Sequence, residues 1–83
     1  MTRPRLFEHV ALTQDKPELR LKKGDVAVVV DFAPHPSGGE EGCVLEIFNA
    51  IGDSIATAAV PLSHVEPLTQ DEVLAIRRLE KAV

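Results

Sequence analysis

Few side chains in this sequence could carry covalent or acid–base chemistry, and they are scattered along it. Cys43 is the single cysteine, and His9, His35 and His64 are the three histidines. With Asp53, Cys43 and either His35 or His64 could be imagined as a nucleophile, base and orienting carboxylate. Such a set needs the thiol within hydrogen-bond reach of an imidazole that a third group holds in place. The placement argues against it. Cys43 opens a valine- and isoleucine-rich segment, where a small buried hydrophobe is the ordinary role. His35 stands between Pro34 and Pro36 in a glycine-rich loop, a poor platform for a base that must sit about 3 Å from its target. The three histidines lack ligand spacing and one cysteine offers no thiolate pair, so neither metal nor cofactor is expected. No residue is assigned a catalytic role, and the chain is not expected to be an enzyme.

Carboxylate pairs lead no further. Glu40 and Glu41 are adjacent behind Gly38-Gly39, and read as solubilising charges. Asp31 and Glu46 fall on neighbouring strand segments, where they would repel or line an acidic face. Thirteen acidic against nine basic residues give a net charge of −4. That balance disfavours nucleic acid, whose binding leans on cationic surface. A local patch of Arg20, Lys22 and Lys23 with Arg3 or Arg5 keeps a nucleic-acid-binding barrel as an alternative.

Recognition by apolar surface is the stronger theme. Thr69 and Glu72 have capping-box spacing, and Val73, Ile76, Leu79 and Val83 recur at helical intervals behind them. Asp71 and Glu72 at the start and Arg77, Arg78 and Lys81 near the end complement a helix dipole. An amphipathic helix over 69–83 is therefore expected, either plugging the domain's own end or pairing with another chain.

The elements that must position these residues are short strands. Phe7–Thr13 is the first, followed by a loop through Asp15 and Pro17, a brief extended piece at Leu19–Leu21, and a Lys23-Gly24-Asp25 turn. Val26–Phe32 is the clearest strand because its β-branched run disfavours helix. Putting Asp31 outward places Val26, Val28, Val30 and Phe32 inward, and leaves Ala27 and Val29 on an outer face partly covered by another element or a partner. After the Pro/Gly-rich loop come Cys43–Asn49, with Cys43, Leu45 and Ile47 on one parity, and Ser54–Val60. Leu62–Val65 reads as a corner and Glu66–Leu68 as a last strand.

Eighty-three residues with 45% hydrophobic and 27% charged content allow one small domain with a thin core. No apolar run reaches signal-peptide or membrane-span length, and the lone cysteine suits a reducing compartment, so a cytoplasmic protein is expected. Four or five short strands closing on themselves make a small barrel over 6–68, with the helix appended at 69–83 in one domain over 1–83.

The segment Leu21-Lys22-Lys23-Gly24-Asp25-Val26-Ala27-Val28-Val29-Val30 resembles the second strand of SH3-like barrels of the KOW and nitrile-hydratase-subunit type. From Phe7 to Leu68 the chain also resembles the small bacterial family catalogued as domain of unknown function 4926. The likeness runs on through Val44–Phe48, Gly52, Ala56-Thr57 and Val65-Glu66-Pro67-Leu68. It implies a mainly β, SH3-like barrel of about five strands and no activity. Ala27 stands where a second glycine is expected, and the segment from Thr69 lies beyond the pattern. Taken together, these features lead us to expect a non-catalytic protein-binding barrel, with an antidote or immunity role beside a toxin as one form. The nitrile-hydratase likeness leaves an accessory enzyme subunit as a further alternative. The expected interaction surface is Val73, Ile76, Leu79, Val83 and Val29, contacting a protein partner or a second copy in a homodimer through the helix or outer strand face.

Overall fold

The computed structural model describes residues 3–79. Five antiparallel strands form one sheet: β1 (His9–Leu12), β2 (Val26–Ala33), β3 (Gly42–Phe48), β4 (Ser54–Pro61) and β5 (Val65–Pro67). Their order across the sheet is β4-β3-β2-β1-β5, so four strands follow one another as a meander and the fifth returns beside the first. Two short 3-10 helices interrupt them, Pro17–Leu19 between β1 and β2 and Leu62–His64 between β4 and β5.

The turns have local causes. Gly24 adopts φ +91°, a left-handed conformation that costs glycine little. Its N–H donates to the Leu12 carbonyl at 2.8 Å, and the Asp25 carboxylate accepts the Lys22 N–H at 2.8 Å. At the β3–β4 hairpin, Asn49 Oδ1 accepts the backbone N–H groups of Ile51 (3.1 Å) and Asp53 (2.8 Å). An asparagine side chain closing a turn on its own backbone in this way is a familiar device. Gly52, at φ +89°, completes the reversal.

One side of the sheet carries the core: Val10, Leu12, Leu21, Ala27, Val29, Cys43, Leu45, Ile47, Ala58, Val60 and Val65, with Phe32 and Leu62 packed against it. Cys43, Leu45 and Ile47 share one parity of β3, as expected, and it is the inward one. On β2 the expected parity is reversed. Ala27 and Val29 are the buried residues, while Val26, Val28 and Val30 are half-buried on the other side. A bulge explains the reversal. Val29 pairs with Leu45 but Asp31 pairs with Val44, so one extra residue is accommodated between them. The alternation therefore slips by one, and Phe32, two positions beyond Val30, still reaches the core beside Cys43.

The expected helix is absent among the described residues of its span. Thr69 and Glu72 form half a capping box: the Glu72 carboxylate accepts the Thr69 N–H at 2.6 Å. The Thr69 hydroxyl, however, donates to Asp71 instead of accepting an N–H from the next turn. A single turn forms around Gln70-Asp71, and residues 72–79 continue without helical structure. A short amphipathic helix draws most of its stability from packing its apolar stripe. Here Val73 and Ile76 are 93% and 95% exposed, so these two residues of the stripe gain little packing that would hold a helix. Residues 80–83, including Val83, lie outside the described residues.

Candidate functional site: an apolar groove under the C-terminal segment

An apolar groove lies between the first 3-10 helix and the β3–β4 hairpin. Leu19, Leu21, Ile47, Ile55 and Ala56 form its apolar floor and sides; Glu18 and Arg20 add charge, and Leu79 borders it; its volume is about 340 Å³. Its elements explain its shape. Lys16 and Leu21 pair as an isolated bridge, which pinches the β1–β2 connection and holds Pro17–Leu19 beside the sheet. Arg20 takes a left-handed φ of +58° to end that helix, turning Leu21 inward while Leu19 stays at the surface. The hairpin contributes Ile47 from the core side of β3 and Ile55 from β4. Leu19, Ile55 and Leu79 keep 38%, 42% and 46% of their surface exposed, so the groove is lined but not sealed.

A charged clamp stands at the same place. The Arg77 guanidinium grips Asp25 with two N–H groups, Nε donating to Oδ1 at 2.8 Å and Nη2 to Oδ2, and Nη2 also reaches the Arg20 carbonyl at 3.3 Å. Paired parallel bonds of this kind combine charge with fixed geometry. Burial works against the Asp25 charge, but the Arg77 bond, the Lys22 N–H and the nearby positive charges outweigh it. The net result holds this carboxyl below its ordinary value. The C-terminal segment thus doubles back onto the domain through Arg77, and its last described residue, Leu79, lies beside the groove.

The structure separates the residues that could have done covalent chemistry. Cys43 is fully buried in the core, and burial, followed by the Glu41 charge, pushes its thiol up, away from the reactive thiolate. His35 Nδ1 accepts the Ser37 N–H at 3.1 Å within its own loop. His64 Nδ1 lies 2.7 Å from Lys16 Nζ, and Asp53 binds Asn49. None of these contacts involves Cys43. Among the described residues no group of three His, Cys, Asp or Glu side chains could hold a metal ion.

Charged residues fare differently from expectation. Glu40 and Glu41 do more than solvate their loop. Glu40 accepts the Ser63 hydroxyl at 2.9 Å and the Ser63 N–H at 2.7 Å, and these two bonds lower its carboxyl, tying the β2–β3 loop to the second 3-10 helix. Glu41 pairs with Arg3 at 2.5 Å, while the Arg3 guanidinium lies 4.5 Å from the centre of the Phe32 ring. Asp31 and Glu46 do not oppose each other, since their partners across the ladder are Val44 and Val28; Glu46 accepts the Ser54 hydroxyl at 2.8 Å. Arg3, beside Phe32, sits at the far end of β2 from the Lys22–Asp25 turn, roughly 20 Å away at about 3.3 Å per strand residue. Arg20, Lys22 and Lys23 are exposed, but Asp15 and Asp25 lie among them, accepting the N–H groups of Lys23 and Lys22.

Of the surface expected to recognise a partner, Val29 is wholly buried in the core and presents nothing outward. Val73 and Ile76 are exposed, and Leu79 is the one described residue of that surface that reaches the groove. Sequence reasoning missed the groove and the clamp. Leu19 and Leu21 had stood out as an alternating pair, but nothing local ties Arg77 to Asp25, 52 positions away.

Comparisons with known proteins leave the site to be read from its own geometry: no family model, no curated protein and no solved structure matches the chain. No helix among the described residues is long and apolar enough to cross a membrane.

Proposed function

We propose that the chain is a non-catalytic protein-binding module, an SH3-like β-barrel that receives a segment of another protein in the groove between the Pro17–Leu19 helix and the β3–β4 hairpin. The barrel part of this reading is supported by the meander order with β5 returning beside β1, by the 3-10 helix between β4 and β5, and by the gathering of the core on one side of the sheet. One observation carries the binding part. Leu19, Ile55 and Leu79, each part-exposed, border an open apolar concavity of about 340 Å³ whose floor includes the buried Leu21 and Ile47. Pockets of this kind, mostly apolar with a few charged groups at the rim, are the usual form of a binding site.

Its test is affinity capture by the full chain from extracts of the source organism, set beside the variants Leu19→Asp and Ile55→Asp. Both positions are partly exposed, so each variant tests the surface while the core stays intact. Recovery of one protein with the natural chain and its loss with both variants is the expected result. Recovery that ignores both substitutions, or retention of nucleic acid at low salt in place of protein, overturns the reading.

A further inference from the structure

The groove has a neighbour that indicates what it takes. Arg77 and Leu79 are two positions apart on a segment without helical structure. The guanidinium is clamped on Asp25 and the Arg20 carbonyl, and the leucine borders the groove that Arg20 also lines. The clamp is built for a guanidinium. The Asp25 side chain is 18% exposed and held in place by the Lys22 N–H, so both its oxygens present a planar, oriented face to the incoming cation. Beside it the surface turns from acidic to aliphatic across Leu19, Leu21, Ile47 and Ile55. Upstream, Val73, Leu74 and Ile76 make little of the contact, being 93%, 67% and 95% exposed. The attachment is therefore confined to its last few described residues.

We infer that the groove recognises an extended peptide in which an arginine precedes an aliphatic residue by two positions, and that Arg77 and Leu79 of the chain itself are the resident competitor for that place. The inference rests on the protein-binding reading above and adds the chemistry of the ligand. The external segment supplies the guanidinium to Asp25 and the aliphatic side chain to Leu19 and Ile55, and residues 72–79 leave when it arrives. Because the competitor is covalently attached, it acts at a high effective concentration and sets a threshold that a weak ligand fails to cross.

The test uses a fluorescent peptide with the sequence of residues 73–79, titrated into the full chain and into its Arg77→Ala/Leu79→Ala variant. The peptide is expected to bind the variant at least tenfold more tightly than the natural chain. That binding should fall at least tenfold when the peptide's first arginine or its leucine is replaced by alanine. It should fall equally when Ile55→Asp is added to the variant. Asp25→Asn serves as a second check on the clamp, with an amide NMR spectrum establishing that the domain stays folded. Equal binding to natural chain and variant, indifference to the peptide's arginine and leucine, or no binding to either chain would each overturn the inference. A protein partner captured through Leu19 and Ile55, without peptide binding, defeats this inference alone. Capture that ignores both residues defeats the broader reading instead.

Discussion

Cys43, the residue most suggestive of chemistry in the sequence, contributes to the core; Asp25, read in the sequence only as part of a turn, carries the clamp. A buried side chain on β3 whose thiol is pushed away from the thiolate is worth its packing. Leu45 is the largest of the fully buried side chains, and Leu45→Ala should cost about 2–5 kcal/mol in denaturant unfolding. Val73→Ala, at a position 93% exposed, should stay within about 0.5 kcal/mol. Equal effects at the two sites would mean that the core is misplaced. Asp25 gives a pH prediction with a definite sign. Its folded-state pKa is lowered, so its contribution is present above the ordinary carboxylate value of about 3.9 and is lost as pH falls through the folded value. The NMR signal of the Arg77 side-chain N–H should hold steady from neutral pH down to about pH 5 and change only in more acidic solution. Asp25→Asn should abolish that acid transition; its persistence in the variant would assign the titration to another group.

Strands and turns were legible where their causes are local. The β-branched run of β2, the Gly24 turn and the shared parity of Cys43, Leu45 and Ile47 all follow from neighbours a few residues away. Two elements were not. The bulge after Val29 depends on how β2 registers against β3, so alternation counted from Asp31 assigned the wrong parity to Ala27 and Val29. The segment from Thr69 has helical spacing and half a capping box, yet periodicity alone does not supply the surface a helix must pack against. Ala75→Pro separates the two states of that segment. Without helix at this position, proline should change unfolding free energy by less than about 0.5 kcal/mol, whereas a packed helix interior would lose about 3 kcal/mol. Gly52→Ala tests the opposite kind of element. No atom lies within 4 Å of the added methyl, so any loss, expected at about 1 kcal/mol, comes from the backbone at φ +89° alone.

At the scale of the molecule, the described residues combine a core on one side of the sheet with an open apolar groove, and a charged clamp draws the C-terminal segment beside it. Composition had already indicated one small domain, and its excess of acid was read as disfavouring nucleic acid. The place where it could bind a partner was hidden, because the groove is assembled from residues 18–21, 47, 55–56 and 79, and the clamp joins residues 25 and 77. Amide hydrogen exchange of the full chain, measured alone and with the protein it captures, tests the central claim most directly. The account predicts slower exchange in the partner complex at residues 18–21, 47 and 55–56, with faster exchange through 72–79 as that segment is displaced. Protection confined to the Val28 and Val44 side of the sheet or to the loop at 34–41, with residues 72–79 unchanged, would contradict it.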